Sequence, residues 1–233
     1  LEAVKTNVVG SANIIKAAQS CGTPLTVAIS TDKACQPDCV YGYTKLLMEK
    51  LFLEASNETN FFACCRFGNV AGSHGSVIPF WLSLKSNNQK IKLTDPRMNR
   101  LMFLPSEATD LIEKTIEMAS SPHRSAFVLS KKMKNVNMYE LAKIVCEEIE
   151  VVGLRPGEKL NEDLISDKEL PYTRCDEEGY VVLQNEVNKN LSTRLQQPLS
   201  SKSSPNMTIE EMKDLVNSVK EQLSETLLIE KQY

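Results

Sequence analysis

The sequence lacks an apolar run of the roughly 20 residues needed to cross a bilayer, and it has no block of five or more like charges. Its formal net charge is only -3. A polybasic membrane patch and a nucleic-acid footprint are therefore not indicated. The first residues also lack the basic and apolar regions of a signal peptide. These absences predict a cytoplasmic protein that binds neither membranes nor nucleic acid.

The patterns of a disulfide framework and of a metal site are missing as well. The seven cysteines are an odd number at irregular spacings, which is typical of reduced thiols. Cys35 and Cys39 have the spacing of a ligand pair, but no second Cys or His pair lies near them in the sequence. The two histidines, His74 and His123, are isolated. We therefore predict no metal site.

What is present begins with polar side chains at the end of a predicted strand. Residues 25–29 are apolar and rich in β-branched side chains, and they follow a Gly-Thr-Pro turn, which predicts a buried strand. Directly after it, Thr31, Asp32 and Lys33 place a hydroxyl, a carboxylate and an amine on consecutive residues. This group is a candidate for acid–base chemistry.

A tyrosine and a lysine follow on one face of a predicted helix. Residues 40–54 have helical spacing, and Tyr41 and Lys45 are four residues apart. A tyrosine is a poor base at neutral pH because its pKa is near 10, whereas a nearby ammonium lowers that pKa. Tyr41 is thus a candidate proton acceptor. The alternative is an exposed pair with no function, because this spacing is common on helix surfaces.

A second strand completes a strand–helix–strand unit. Residues 61–67 predict a buried parallel strand, and a loop with three glycines follows it. Ligands of open α/β sheets bind at this edge of the sheet. Asn69 in the loop is a candidate ligand-binding amide, with a plain glycine turn as the alternative.

The rest of the chain has fewer chemical signals. We predict that Trp81 belongs to the core and that residues 138–150 form an amphipathic helix. A Ser-rich linker over 200–205 precedes a helix over 208–228, which Thr208 caps. Whether this last helix docks, contacts another subunit or frays stays open.

Five sequence blocks, in order, resemble one known family. They are STDKA, YGYTK, CRFGNVAGSHGSVIPFW, TDPRMNR and GLRPGEKLNE. Together they resemble the extended short-chain dehydrogenase/reductases, and most closely the UDP-N-acetylglucosamine 4,6-dehydratases (inverting) and CapD-like polysaccharide biosynthesis proteins. The resemblance extends from about Asn7 to Glu162.

The resemblance implies an α/β fold with part of a doubly wound, Rossmann-type parallel sheet and a smaller α+β substrate-binding subdomain. Residues 1–75 would be the C-terminal half of an NAD(P)-binding domain. Residues 76–199 would bind the nucleotide sugar and could return to the main sheet, and residues 200–233 would be a linker and a helix. The Gly-rich turn that binds the cofactor pyrophosphate is absent, and the chain begins inside a helical pattern without Met. We therefore expect an N-terminally truncated fragment.

The resemblance also implies a reaction and its residues. The reaction would be the NADP-dependent (or NAD-dependent) removal of water from a UDP-sugar, in a protein that forms a homo-oligomer at full length. By resemblance, the candidate catalytic residues are Asp32, Lys33 and Tyr41, the cofactor-binding residues are Tyr41 and Lys45, and the substrate-binding residues are Thr31, Asn69, Arg100, Arg155 and Glu158. His74 stands where the family usually has arginine.

Two other functions stay open. A UDP-sugar 4-epimerase is the first, although it has no need of the acid–base pair Asp32 and Lys33 for C5 and C6. The second is a non-catalytic remnant or nucleotide-sugar-binding fragment, because the Gly-rich unit is missing. The retaining branch of the dehydratases tends to lack the tyrosine found here at position 41, which favours the inverting branch.

Overall fold

The computed structural model describes residues 1–121, 125–184 and 193–230 of the 233. Helical structure near the start consists of α1 (Glu2–Val4), a π-helical stretch (Lys5–Val9) and α2 (Gly10–Cys21). The later helices are α3 (Val40–Ala55), α4 (Val77–Ser86), α5 (Pro105–Ala119), α6 (Met138–Val145) and α7 (Ile209–Glu230). The strands are β1 (Leu25–Thr31), β2 (Phe61–Phe67), β3 (Asn69–Val70), β4 (Ile91–Leu93), β5 (Asn99–Phe103), β6 (Phe127–Lys131), β7 (Lys134–Asn137), β8 (Ile149–Val151), β9 (Asp163–Ile165), β10 (Thr173–Cys175), β11 (Tyr180–Gln184), β12 (Thr193–Arg194) and β13 (Leu199–Ser200).

The chain divides into two compact units that alternate along the sequence. The first comprises Leu1–Phe67, Thr109–Lys132 and Asp163–Ser200, and the second comprises Gly68–Ala108, Met133–Glu162 and Ser201–Tyr233. The boundaries expected from the sequence were contiguous, whereas each unit gathers three separate segments. The functional labels given to those segments stay predictions.

The first unit contains a six-stranded mixed sheet in the order β1-β2-β6-β11-β10-β12. Strands β1, β2 and β6 are parallel, and the three that follow are antiparallel. This arrangement confirms the predicted α/β class with a parallel sheet. The antiparallel strands come from beyond residue 172, in a part of the chain with weaker sequence signals.

Helices cover both faces of this sheet. Alternate residues of β2 point to opposite sides of the sheet. Phe62 packs with Phe52 of α3 on one side, while Phe61 packs with Leu111 of α5 and with Phe127 of the neighbouring strand β6 on the other. Such burial on both faces explains why β2 is an almost continuous apolar run.

The prediction that β1 is a buried strand was wrong in part. Only Ala28 and Ser30 of this strand are buried, and Ile29 is 41% exposed. The reason is position, because β1 is the outermost of the described strands in its sheet and pairs with β2 alone.

The second unit is built from short strands and three helices around its own core. Its strands form a three-stranded sheet, β3-β5-β7, and a parallel pair, β4-β8. Trp81 is 2% exposed in the core of this unit, as predicted. The predicted helix over 138–150 was too long, since α6 ends at Val145 and Ile149 instead pairs with Ile91. Strand pairing outweighed the helical periodicity of the last residues.

The last helix docks onto the second unit. Thr208 caps α7, as predicted, because its Oγ1 accepts a hydrogen bond from Glu211 N, while the Glu211 carboxylate accepts one from Thr208 N. The buried side chains of α7 are Met212, Leu215, Val216 and Val219. No helix among the described residues is long and apolar enough to cross a membrane.

Candidate active site

The polar group after β1 forms a compact turn in the first unit. Strand β1 ends at Thr31, and a single 3-10 turn follows over Asp32–Ala34. Thr31 caps that turn, because its Oγ1 accepts a hydrogen bond from Lys33 N at 3.4 Å. The strand end and the cap therefore hold the three consecutive polar side chains together.

Asp32 lies at the centre of this turn with its side chain fully buried. Its Oδ1 accepts hydrogen bonds from Lys33 Nζ and from Thr31 Oγ1, each at 2.9 Å. Its Oδ2 is buried and has no hydrogen-bond partner among the described residues. A buried carboxylate oxygen with no partner is costly, so Oδ2 is an acceptor that a bound hydroxyl could satisfy.

Tyr41 lies at the start of α3 with 43% of its surface exposed. The pKa of Tyr41 lies above its ordinary value, because burial of its ring raises it more than the nearby charge of Lys33 lowers it; the charge of Asp32 raises it further. The structure thus joins Tyr41 electrostatically to the turn, as expected. Lys33 is the cation that lowers this pKa, and the pairing of Tyr41 with Lys45 stays a prediction.

Lys45 instead contacts the neighbouring strand. Its Nζ donates a hydrogen bond to the Ile29 carbonyl at 2.9 Å. Partial burial lowers the pKa of Lys45, although nearby Cys64 and Glu49 raise it. An ammonium has three donors; one is used by Ile29, a second points to Met48 Sδ, 3.8 Å from Nζ, and the third remains for a ligand.

Close approach of α3 to the turn depends on Gly42. A Cβ at this position would lie 2.3 Å from the Lys33 carbonyl oxygen and 2.9 Å from Pro37 Cβ. Only glycine allows this separation without moving the backbone of Lys33. Tyr41, the neighbour of Gly42, is thereby fixed close to the Asp32–Lys33 turn.

Asn7 is a polar neighbour of α3 that was not predicted to have a role. It lies in the π-helical stretch, and its Nδ2 donates a hydrogen bond to Thr44 Oγ1 at 3.0 Å. Thr44 Oγ1 in turn donates to the Tyr41 carbonyl at 2.8 Å. No sequence signal singled out Asn7, because polar side chains are common in this segment and a π-helical turn cannot be recognised from the sequence.

In the second unit, Asn69 begins the two-residue strand β3. That strand pairs in parallel with β5, so the predicted glycine loop contains regular structure. The Asn69 Oδ1 atom is buried and has no hydrogen-bond partner among the residues described. Like Asp32 Oδ2, this oxygen is an acceptor that a ligand could satisfy.

Arg100 is largely occupied by protein contacts in the second unit. Its side chain is 9% exposed, and its guanidinium donates to the carbonyls of Asn99 at 2.7 Å and Lys159 at 3.0 Å. Glu162 lies 3.9 Å from Nη2. These contacts give Arg100 a structural role that the sequence did not indicate, and a carboxylate so close opposes the approach of a phosphate. The substrate-binding role expected of Arg100 stays a prediction.

Arg155 and Glu158 form a local turn in the second unit. Glu158 Oε2 accepts a hydrogen bond from Arg155 N at 3.2 Å, and Glu158 N donates to the Arg155 carbonyl at 3.0 Å. Thr94 Oγ1 also lies 3.4 Å from Glu158 Oε1. Arg155 is exposed, so the turn presents a cation at the surface of this unit.

No group of three or more His, Cys, Asp or Glu side chains that could hold a metal ion occurs among the residues described. His74 is exposed in the second unit, and His123 lies outside the described residues. The candidate residues of the first unit are acid–base groups, and those of the second unit are hydrogen-bonding and charged groups.

A comparison with protein families identifies the chain. Residues 1–184 match the model described as polysaccharide biosynthesis protein. The chain belongs to this family. The resemblance of the five sequence blocks is therefore confirmed.

Two curated relatives represent two different activities. The UDP-N-acetylglucosamine 4,6-dehydratase (inverting) of Campylobacter jejuni serotype O:2 is 35% identical over 181 residues, which cover 74% of this chain and 53% of that protein. The UDP-glucose 4-epimerase of Rickettsia bellii strain OSU 85-389 is 30% identical over 182 residues, covering 73% of this chain and 52% of the relative. The chain thus spans about half the length of these two relatives.

A solved structure extends the similarity to most of the fold. The X-ray structure of Pen from Bacillus thuringiensis has a TM-score of 0.83 and 31% sequence identity. The match covers 94% of this chain and 70% of that one. The α/β fold is therefore shared along nearly the whole chain.

Proposed function

We propose that the protein containing this chain removes water from UDP-N-acetylglucosamine to give a 4-keto-6-deoxy sugar with inversion at C5, for polysaccharide or glycan biosynthesis. The observation that carries this proposal is the turn after β1, where a buried carboxylate and an amine are in direct contact 2.9 Å apart. A 4,6-dehydration needs an acid for the departing hydroxyl and a base for the proton on C5. An epimerisation at C4 needs neither.

The reaction requires protonation states that the contact between Asp32 and Lys33 does not favour by itself, because opposite charges stabilise each other. The base must be a neutral amine and the acid a protonated carboxyl group. One proton moving from Lys33 Nζ to Asp32 Oδ1 creates both states at once, and no proton enters or leaves the pair. Exclusion of water by a bound sugar favours the neutral pair, because burial disfavours charged groups.

Tyr41, Lys33, Asp32 and Thr31 then each have one task in the reaction. Tyr41 accepts the proton from O4 as the 4-keto group forms. Neutral Lys33 removes the C5 proton, which the keto group has made acidic. Protonated Asp32 donates its proton to the departing 6-hydroxyl. Thr31 turns its one O–H from Asp32 Oδ1 to O4 when the sugar binds.

The residues on α3 fit the nicotinamide end of NADP or NAD. Tyr41 is partly exposed beside the strand end, and Lys45 retains a donor for a ribose hydroxyl. A bound nicotinamide would supply the acceptor for the hydride from C4 and the donor for the hydride to C6. We propose NADP, with NAD as the alternative.

In the second unit, the residues proposed to hold the substrate are unequal in their support. Asn69 has a buried oxygen with no partner among the described residues, and Arg155 is an exposed cation suited to a diphosphate. For Glu158 we propose a hydrogen bond to the ribose or uracil of the substrate. Arg100 is the least supported, because protein carbonyls and Glu162 occupy its guanidinium.

Two further parts of the proposal concern the whole protein. All seven cysteines are free thiols in the structure, which fits a reducing compartment such as the cytoplasm. A homo-oligomer at full length is proposed from the family resemblance. A UDP-sugar 4-epimerase is the second candidate function, because a 4-epimerase is among the relatives.

The proposal is tested with Lys33→Ala in the full-length gene product. We expect the dehydration rate to fall by about 10² to 10⁴, the usual contribution of an acid–base group. Deuterium from heavy water should enter C5 of the product with the unaltered protein. Lys50→Ala serves as the matched control, since Lys50 is an exposed lysine on α3. A fall of less than about tenfold for Lys33→Ala would assign the base to another residue.

A further inference from the structure

A buried cluster of charges in the first unit connects the elements that carry the proposed catalytic groups. Arg66 of β2 is fully buried and donates to both carboxylate oxygens of Glu49, from Nε at 3.0 Å and from Nη2 at 2.7 Å. Nη2 also donates to Glu169 Oε1 at 2.8 Å, and Nη1 donates to the Leu164 carbonyl at 2.8 Å. The guanidinium is thus bound on three sides.

Each end of the cluster lies next to a proposed catalytic element. Glu49 lies on α3, one turn after Lys45 and two turns after Tyr41. Arg66 lies opposite Ser30 in the register of β1 and β2, and Ser30 is two residues before the turn over Asp32–Ala34. The cluster therefore contacts both the helix and the strand that present the reacting groups.

Glu169, the third member of the cluster, is connected to the Asp32–Ala34 turn through Cys35. Cys35 Sγ donates a hydrogen bond to Glu169 Oε2 at 3.2 Å, and Cys35 N donates to the Asp32 carbonyl at 2.8 Å. Burial and the nearby charge of Glu169 raise the pKa of Cys35, so the sulfur stays a protonated donor. Ser166 N and Oγ complete the contacts of Glu169 Oε2, each at 3.0 Å.

Stability alone does not account for such a cluster. Replacing buried ion pairs with apolar side chains of similar volume is often neutral or stabilising, because charged groups are costly to remove from water. Charged hydrogen bonds do, however, fix distances and angles more tightly than apolar contacts. A cluster that joins α3, β2 and the polar turn is suited to holding these elements in one arrangement.

We propose that Glu49, Arg66, Glu169 and Cys35 are positioning residues, which hold the Asp32–Lys33 turn in register with Tyr41 and Lys45 for the dehydration. This inference rests on the proposed function. It assigns the Cys35 thiol to the second half of the reaction, in which C5 loses its proton and the 6-hydroxyl departs. Tyr41 and Lys45 serve the first half and lie on α3, whereas the hydrogen bonds of Cys35 go to Glu169 and to the Asp32 carbonyl.

The test compares Cys35→Ala with Cys35→Ser in the full-length gene product, using UDP-N-acetylglucosamine and NADP⁺ in single turnovers. Absorbance of the reduced nicotinamide reports the first half, and the mass of the sugar product reports loss of water. For Cys35→Ala we expect the second half to slow about ten- to a hundredfold, with the first half within about twofold. Reduced cofactor should accumulate, KM should stay unchanged, and Cys35→Ser should recover most of the rate because it keeps a donor.

Equal slowing of both halves, or equal behaviour of the Ala and Ser variants, would overturn the positioning role. If the unaltered protein turns over no substrate, the proposed function fails separately, and a second measurement decides the inference. That measurement is a double-mutant cycle in thermal unfolding with Cys35→Ala and Glu49→Gln. Non-additive losses are expected from two ends of one network, and additive losses would overturn the inference.

Discussion

Removing the charge of Glu169 tests the energetics of the buried cluster. Its side chain is 18% exposed. Burial raises the pKa of Glu169, but the charge and hydrogen bonds of Arg66 outweigh that effect, and the pKa falls from 4.5 to about 2. One pKa unit corresponds to about 1.4 kcal/mol, so ionised Glu169 contributes about 3 kcal/mol to the free energy of unfolding near neutral pH. Glu169→Gln should lose about that amount.

The stability lost in Glu169→Gln should become smaller as the pH falls. A lowered pKa in the folded state means that the contribution is complete above the unfolded pKa of 4.5 and is lost as the pH falls towards about 2. Roughly 2 kcal/mol of the difference between the unaltered protein and Glu169→Gln should therefore disappear by about pH 3. Urea unfolding followed by circular dichroism, at several pH values from neutral to about pH 3, measures this difference.

A matched control separates the cluster from ordinary surface pairs. Glu117 pairs with Lys114 at 3.1 Å, but its side chain is 70% exposed. Exposed pairs contribute little, so Glu117→Gln should leave the unfolding curves nearly unchanged at every pH. The reasoning is refuted if Glu169→Gln loses less than about 1 kcal/mol near neutral pH, or if its loss is the same at about pH 3.

Two further predictions concern a glycine and a helix cap. Gly42→Ala should lower turnover at least about tenfold, because the new Cβ would displace the Lys33 carbonyl. Gly10→Ala is the control, since its new Cβ would have its nearest contact at 3.5 Å. This variant should keep full activity and gain up to about 1 kcal/mol in the free energy of unfolding. Steady-state rates and thermal melts of both variants check this pair, and equal activity in the two would contradict it. Thr208→Ala should destabilise the second unit by about 1 kcal/mol through loss of the cap of α7, and an unchanged melting curve would argue against that role.

Much of the fold could be predicted where local signals agreed with the tertiary structure. The strand over residues 61–67 was predicted with its observed bounds, because seven successive residues suited to a strand lie between turn signals. The helix over residues 40–54 extends only one residue further in the structure. The exposure of side chains was harder to predict. Strand β1 has the composition of a buried strand, but it is the outermost of the described strands in its sheet.

The candidate site divides in the same way. Contacts within the Asp32–Lys33 turn are local, so the sequence could predict their proximity. The electrostatic partner of Tyr41 could not be predicted, because it depends on which nearby cation the side chain meets. The hydrogen bond from Cys35 to Glu169 joins residues 134 positions apart, and no local pattern indicates it. For the same reason the buried role of Arg66 was missed.

The central claim is that the full-length gene product is a 4,6-dehydratase, and the mass of its product tests this most directly. The protein is incubated with UDP-N-acetylglucosamine and catalytic amounts of NADP⁺ or NAD⁺, and the nucleotide sugar is examined by mass spectrometry. We predict a product that is lighter than the substrate by one water and carries a keto group. A product of unchanged mass that differs in configuration at C4 would identify an epimerase and contradict the account.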